Sequence, residues 1–225
     1  GVLSVDKKKG QVMKKEYFEI EKIQAVLYGE KSERVWLFVH GQGGSMEEAG
    51  DFADTAVPAG YQVLGIDLPE HGRRKKEPGF VPWRASEDIR RTAWYIKERW
   101  SAFSLRANSI GAYFLMQALK ECTAEKALLV SPVVDMERLI RDMMNWAGVS
   151  EERLRAEGEI ETDFGQALSW DYLRWVMEHP QECWNTPTAV LYAGGDTLIS
   201  RDSVDAFVSR NNAKLTVYEP GEHWF

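Results

Sequence analysis

A series of short apolar runs alternating with helix-forming stretches constrains this chain more than any other feature. "RVWLFVH" (Arg34 to His40), "YQVLGID" (Tyr61 to Asp67), "AFSLRAN" (Ala102 to Asn108), "KALLVSP" (Lys126 to Pro132), "PTAVLYAGGD" (Pro187 to Asp196) and "AKLTVYE" (Ala213 to Glu219) read as strands. The continuous runs among them have the pattern of strands buried on both faces of a parallel sheet. "EYFEIEKIQAVLYGE" (Glu16 to Glu30) alternates in two runs and predicts an antiparallel pair leading into that sheet. Helices are expected from Ser45, where Ser45 and Glu48 have capping-box spacing, over Ser86 to Trp100, over Ile110 to Glu121, and from about Ser200.

Such alternation predicts an α/β architecture, a mostly parallel central sheet flanked by helices, with binding groups in the loops at the strands' carboxyl ends. The pattern lapses from about Asp135 to Pro180, where the chain is helical, acidic and rich in tryptophan. That lapse predicts a helical cap inserted over 135–185 of a single domain spanning 1–225, and 225 residues suffice for one core of this kind.

Charge narrows the partners. With 28 Lys+Arg against 35 Asp+Glu, a net charge of -7 and a pI near 5.3, the chain has no electrostatic footprint for a phosphate backbone, so nucleic acid is not an expected partner. The basic runs Lys7 to Lys9 and Arg73 to Lys76 are short and separated, as solvated surface is. Cys122 and Cys183 fall on different elements, which gives neither a disulfide framework nor metal-ligand spacing; a reducing, cytoplasmic setting and no metal or cofactor are expected. The charged start of the sequence lacks an apolar core of signal-peptide length, and no stretch is apolar and long enough to span a bilayer, so no membrane partner is expected.

One serine then organises the functional reading. In "RANSIGAYF" Ser109 stands between a predicted strand and a predicted helix, with Ala107 and Gly111 two residues to either side. A nucleophile elbow needs small residues at both offsets because strand and helix backbones nearly touch there. The competing role is an N-cap, which explains a serine at a helix start but not its small flanks. The usual Gly-x-Ser-x-Gly is departed from by one methyl, at Ala107.

A serine hydroxyl needs a base. Of His40, His71, His179 and His223, only His223 lies in a loop after the last predicted strand; the others sit in turns that local hydrogen bonding explains. The base in turn needs a carboxylate to fix its tautomer. Asp196 in "YAGGDTLIS" ends a strand and is preferred to Asp135, after "VSPVV", because its loop neighbours the one that carries the histidine. Glycine-flanked backbone in "HGQGGS" and the N–H of Ile110 supply donors for a developing oxyanion. The glycine loop lacks both the dinucleotide pattern and the Lys-Ser/Thr ending of a phosphate loop.

In "HGQGGS", "IDLPEHGRR", "ANSIGAYF", "YAGGDTLIS" and "PGEHWF" the chain resembles the α/β-hydrolase superfamily over almost its whole length, on the serine hydrolase, esterase- and lipase-like side, with a small helical cap. The resemblance implies Ser109 as nucleophile, His223 as proton shuttle, Asp196 as its orienting acid, and Gln42 and Ile110 as backbone oxyanion donors. Glu70 stands where a small residue is commoner in that family, and members normally continue past the histidine loop into a final helix, whereas this sequence ends at Phe225. Specificity is expected from the cap and the loops around the serine. There Trp146, Trp170 and Trp175 are candidate substrate-binding residues, although tryptophans and methionines of this region also suit the cap's own packing. The expected partner is a small-molecule acyl substrate and the expected reaction hydrolysis of a small carboxylic ester. An aminopeptidase- or amidase-like hydrolase with the same triad, and a non-catalytic ligand-binding homologue, are the alternatives.

Overall fold

The computed structural model describes residues 12–224; the Lys7 to Lys9 run and Phe225 lie outside them. Eight strands form one sheet: β1 (Lys15–Ile20), β2 (Ile23–Tyr28), β3 (Arg34–Val39), β4 (Gln62–Ile66), β5 (Ala102–Asn108), β6 (Ala127–Val130), β9 (Thr188–Ala193) and β10 (Ala213–Tyr218). Their order is β1-β2-β4-β3-β5-β6-β9-β10, antiparallel where β2 meets β1 and β4, and parallel elsewhere. The mostly parallel sheet and the antiparallel lead-in therefore match the expectation from the apolar runs.

Strand periodicity divides β3 between two cores. Val35, Leu37 and Val39 face a layer containing Ala85, Ile89, Ala93 and Ile96 of α2 (Pro82–Lys97) and most of α3 (Ile110–Ala118). Trp36 and Phe38 face the opposite layer with Ala49, Ala53 and Ala56 of α1 (Ala49–Ala56). Each of these large side chains, fully buried, stabilises the fold by about 1.5–3 kcal/mol. Covering both faces leaves the carboxyl-end loops as the place where polar groups gather.

Local differences from the sequence reading have physical causes. The second helix begins at Pro82, four residues before Ser86, because proline is suited to a first helical turn whose N–H needs no partner. Ser45 caps a short 3-10 turn, Met46–Glu48, ahead of α1, and its hydroxyl accepts from Glu47 N–H (3.3 Å) where the capping box places Glu48. Between β6 and β9 lie α4 (Met136–Ala147), α5 (Glu151–Glu157) and α6 (Trp170–Glu178), as expected of a helical segment. That segment also holds a two-stranded hairpin, β7 (Glu159–Ile160) with β8 (Leu168–Ser169), too short to give a strand signal. After β9 comes α7 (Arg201–Arg210), where a helix is expected, and Ser200 caps it. Among the described residues no helix is long and apolar enough to cross a membrane, and no cluster of His, Cys, Asp and Glu could hold a metal ion.

Candidate active site

Ser109 joins β5 to α3 with φ 51 and ψ −121, a conformation that side-chain-bearing residues rarely adopt and that costs about 1–3 kcal/mol. Its hydroxyl makes no capping hydrogen bond. The N-cap role is thus not the one the serine plays. Backbone bonds hold the turn instead: Ser109 N–H donates to Val130 O (2.9 Å), and Ser109 O accepts from Val133 N–H (3.0 Å). At Gly111 a Cβ would lie 2.2 Å from the carbonyl oxygen of His40, so α3 touches the backbone after β3 and only glycine fits. Ala107, at the other flank, is fully buried in the core, which absorbs the methyl by which it departs from glycine.

The hydroxyl instead meets an imidazole. Ser109 Oγ lies 2.7 Å from Nε2 of His223, and Nδ1 of His223 lies 2.7 Å from Oδ2 of Asp196. Both side chains are buried, Asp196 completely. The other carboxylate oxygen of Asp196 accepts from the N–H groups of Leu198 (2.8 Å) and Ile199 (2.9 Å), so its orientation is fixed from behind. Since Asp196 is an acceptor, Nδ1 of His223 carries the proton and Nε2 is free to accept from Ser109. The rival acid Asp135 is occupied elsewhere: it caps α4, its Oδ1 accepting from Arg138 N–H (3.0 Å).

The remaining histidines have other work. His40 is fully buried, with Nδ1–H donating to Gly41 O (2.7 Å) and Nε2 accepting from Leu68 N–H (3.0 Å). His71 donates through Nδ1 to Pro69 O (2.9 Å) and accepts at Nε2 from Gly43 N–H (2.9 Å). Together they tie the glycine loop after β3 to the loop after β4. Asp67, also fully buried, adds to this tie by accepting from Met46 N–H (2.8 Å) and Arg73 N–H (2.9 Å). His179 stacks on Trp175 at 4.0 Å and donates to Trp175 O (2.7 Å).

Burial pushes the His40 imidazole down to about 4 from its ordinary 6.5, so it is neutral in the folded protein. The stability carried by that neutral form is complete above pH 6.5 and is lost as pH falls from there towards 4, on the order of 3 kcal/mol in all. Thermal melts across this window are expected to fall steeply, and a His40→Gln variant to show a shallower fall. An equal slope in the variant would assign the acid sensitivity to other groups.

The N–H groups of Gln42 and Ile110 make no hydrogen bond among the described residues, and both residues border the cavity that Ser109 lines. Ile110 opens α3, where the helix terminus favours negative charge. The cavity has a volume of about 490 Å³ and is walled by Phe80, Val133, Leu198, Tyr172 and one face of α4, Met136, Leu139, Ile140 and Met143. A second chamber of about 560 Å³ shares Ser109, Gln42 and Trp224 with the first, and is lined by Glu48, Asp51, Arg106, Asn108, Ser131 and His223. Two unlike compartments thus meet at the serine, one apolar and one polar.

Of the candidate substrate-binding tryptophans, Trp146 lines the apolar cavity at its exposed rim, beside Phe164. Trp170 and Trp175 do not line it. Trp170 packs under the Arg155 guanidinium (4.8 Å) and Trp175 against His179, since side chains on α6 turn towards neighbours that residue type alone does not indicate. The wall that α4 supplies could have been read from its spacing, because positions 136, 139, 140 and 143 follow the i, i+3, i+4, i+7 rule. Phe80, Leu198 and Arg106 carry no comparable signal.

No family model and no curated protein sequence matches the chain. Solved structures do. Est1E from Butyrivibrio proteoclasticus, with ferulic acid bound, is similar at TM-score 0.74 and 18% identity, over 93% of this chain and 91% of that one. The Pyrococcus furiosus esterase PF2001 is similar at TM-score 0.64 and 18% identity, over 94% and 83%. Mouse alpha/beta hydrolase domain-containing protein 10 is similar at TM-score 0.67 and 11% identity, over 94% and 91%. The chain has the α/β-hydrolase fold.

Proposed function

We propose that this chain is a serine hydrolase that cleaves small carboxylic esters through an acyl-enzyme on Ser109. The observation that carries the reading is the unbroken hydrogen-bonded line from Ser109 Oγ through His223 to Asp196, beginning at a serine held at positive φ. The esterases among its structural neighbours are consistent with it.

In the first half-reaction Ser109 Oγ attacks the acyl carbon while its proton passes to His223 Nε2. The carbonyl electron pair moves to the oxygen, which the N–H groups of Gln42 and Ile110 would receive. Collapse expels the alcohol, which takes the proton from Nε2. Water then gives a proton to Nε2 and attacks the acyl-enzyme, releasing the acid and restoring Ser109. Asp196 stays ionised and stabilises the transient imidazolium.

In this reading α4 to α6 act as a cap over the apolar cavity, which suits an alkyl or aromatic group; the ferulic acid bound to Est1E is an aromatic acid. His223→Ala is expected to lower turnover by about 10⁴-fold or more without a shift in melting temperature above a few degrees. Acidification is expected to lower it too, because a protonated imidazole accepts nothing from Ser109; a rate flat down to about pH 4 contradicts a histidine base. Comparing short acyl esters with aminoacyl amides tests the bond class, and activity on amides alone would overturn the ester assignment.

A further inference from the structure

Ester cleavage as proposed leaves one wall of the polar chamber without a task. Arg106 lies there, three residues before Ser109 on β5 and so about 10 Å along the strand from it. Its Nη1 donates to Asn108 Oδ1 and to Ala107 O (3.3 Å). Nε is buried with no partner, and no described carboxylate lies within ion-pair distance of the guanidinium. The side chain packs near the rings of Phe38 (5.7 Å) and Phe52 (5.6 Å), and the Glu48 carboxylate acts on its charge only through space.

A second unsatisfied donor faces the same chamber. Ser131, at the carboxyl end of β6, is 2% exposed, yet its Oγ also has no partner. Its backbone is held at φ 47, beside the nucleophile's own strand. A buried donor without an acceptor costs about 1–3 kcal/mol. Both line one wall of the chamber beside Ser109, and the described residues offer neither Arg106 Nε nor Ser131 Oγ a hydrogen-bond acceptor.

We propose that Arg106 and Ser131 form a subsite for a carboxylate carried by the substrate on the side of the scissile bond opposite its apolar group. The inference rests on Ser109 being the site of ester cleavage. A planar carboxylate matches the guanidinium fork and can accept from the Ser131 hydroxyl as well. Burial lowers Arg106 to about 10, which leaves it protonated at neutral pH. Glu48 and Asp51 line the same chamber, and the Glu48 carboxyl is held above its ordinary range, first by burial and then by the charge of Asp51, against the opposing pull of Arg106 and His71. The chamber is therefore not generally positive, and preference for an acid requires contact with Arg106 itself.

Binding to the Ser109→Ala protein tests this without turnover. Calorimetry at pH 7.5 with 5-phenylpentanoate, 5-phenylpentanamide and 5-phenylpentylamine compares an acid, a neutral amide and a cation on one apolar tail. The acid is expected to bind about tenfold or more tightly than the amide, a difference of about 1.4 kcal/mol. Arg106→Met in that background should erase the preference, Arg106→Lys should keep part of it, and Ser131→Ala should reduce it. Undetectable binding of the acid, equal binding of acid and amide, tighter binding of the amine, or a preference that survives Arg106→Met would each overturn the subsite. Phosphonylation of Ser109 in the unaltered protein, read separately, distinguishes the two claims. A reactive serine without acid preference removes the subsite alone, and acid preference with an inert serine removes the esterase reading alone.

Discussion

Replacing Ser109 by alanine is expected to lower ester turnover by about 10⁵- to 10⁶-fold, the loss seen when a nucleophile that acts as a unit with its base is removed. Melting temperature should stay within a few degrees, because the hydroxyl makes no capping bond and its one hydrogen bond among the described residues is with His223. Ser109→Gly should lose as much activity but gain stability, by about 1 kcal/mol or more, since glycine adopts φ 51 without the strain a side chain brings. The pair separates catalysis from conformation. Turnover in either variant within tenfold of the unaltered protein would mean that another group attacks the substrate, and greater stability in the alanine variant than in the glycine variant would remove the strain argument.

Gly111→Ala is expected to have the next largest effect, although no reacting atom is touched. The new methyl would lie 2.2 Å from His40 O and 3.0 Å from Val39 O, where ordinary contact needs more than 3 Å. Neither neighbour is the free end of a side chain, so α3 must retreat from β3. The retreat should cost about 3 kcal/mol, at the upper end for overpacking, and carry the Ile110 N–H away from Ser109. A displacement near 1 Å there lowers turnover by about 100-fold. Denaturant melts and ester kinetics measure both effects. A Gly111→Ala protein of unchanged stability would show that the close approach of α3 to the His40 carbonyl is not maintained in solution. By contrast, the tightest contact of a Cβ at Gly41 would be 3.2 Å, to Asn108 O, and Gly41→Ala should be the milder change.

The strands were legible because β3, β4, β6 and β9 are short apolar runs bounded by turns, a pattern that little else produces. The order Ser109, Asp196, His223 was legible for a related reason. Each residue follows a strand, and a parallel sheet brings such loops to one edge. The neighbours of Ser109 left cap and nucleophile open; the missing capping bond argues against the cap, and the backbone angle and the position of His223 support the proposed nucleophile, none of which is local information. The tryptophans failed as a guide for the opposite reason. Trp170 and Trp175 differ from Trp146 only in the direction each helix turns them, which packing between helices sets. Arg106 was invisible among the chain's other cations, because only the fold leaves its Nε buried without a hydrogen-bond acceptor. Composition announces residues that bury well, and it is silent on those that are buried at a cost.

The central claim is that Ser109 is a nucleophile charged by His223 and Asp196, and a fluorophosphonate probe tests it most directly because phosphonylation needs an activated hydroxyl and nothing from the natural substrate. Mass spectrometry of the folded protein after incubation should find one adduct, on the peptide containing Ser109, absent from Ser109→Ala and strongly slowed in His223→Ala. An unlabelled folded protein, or an adduct of equal rate in His223→Ala, would contradict the account.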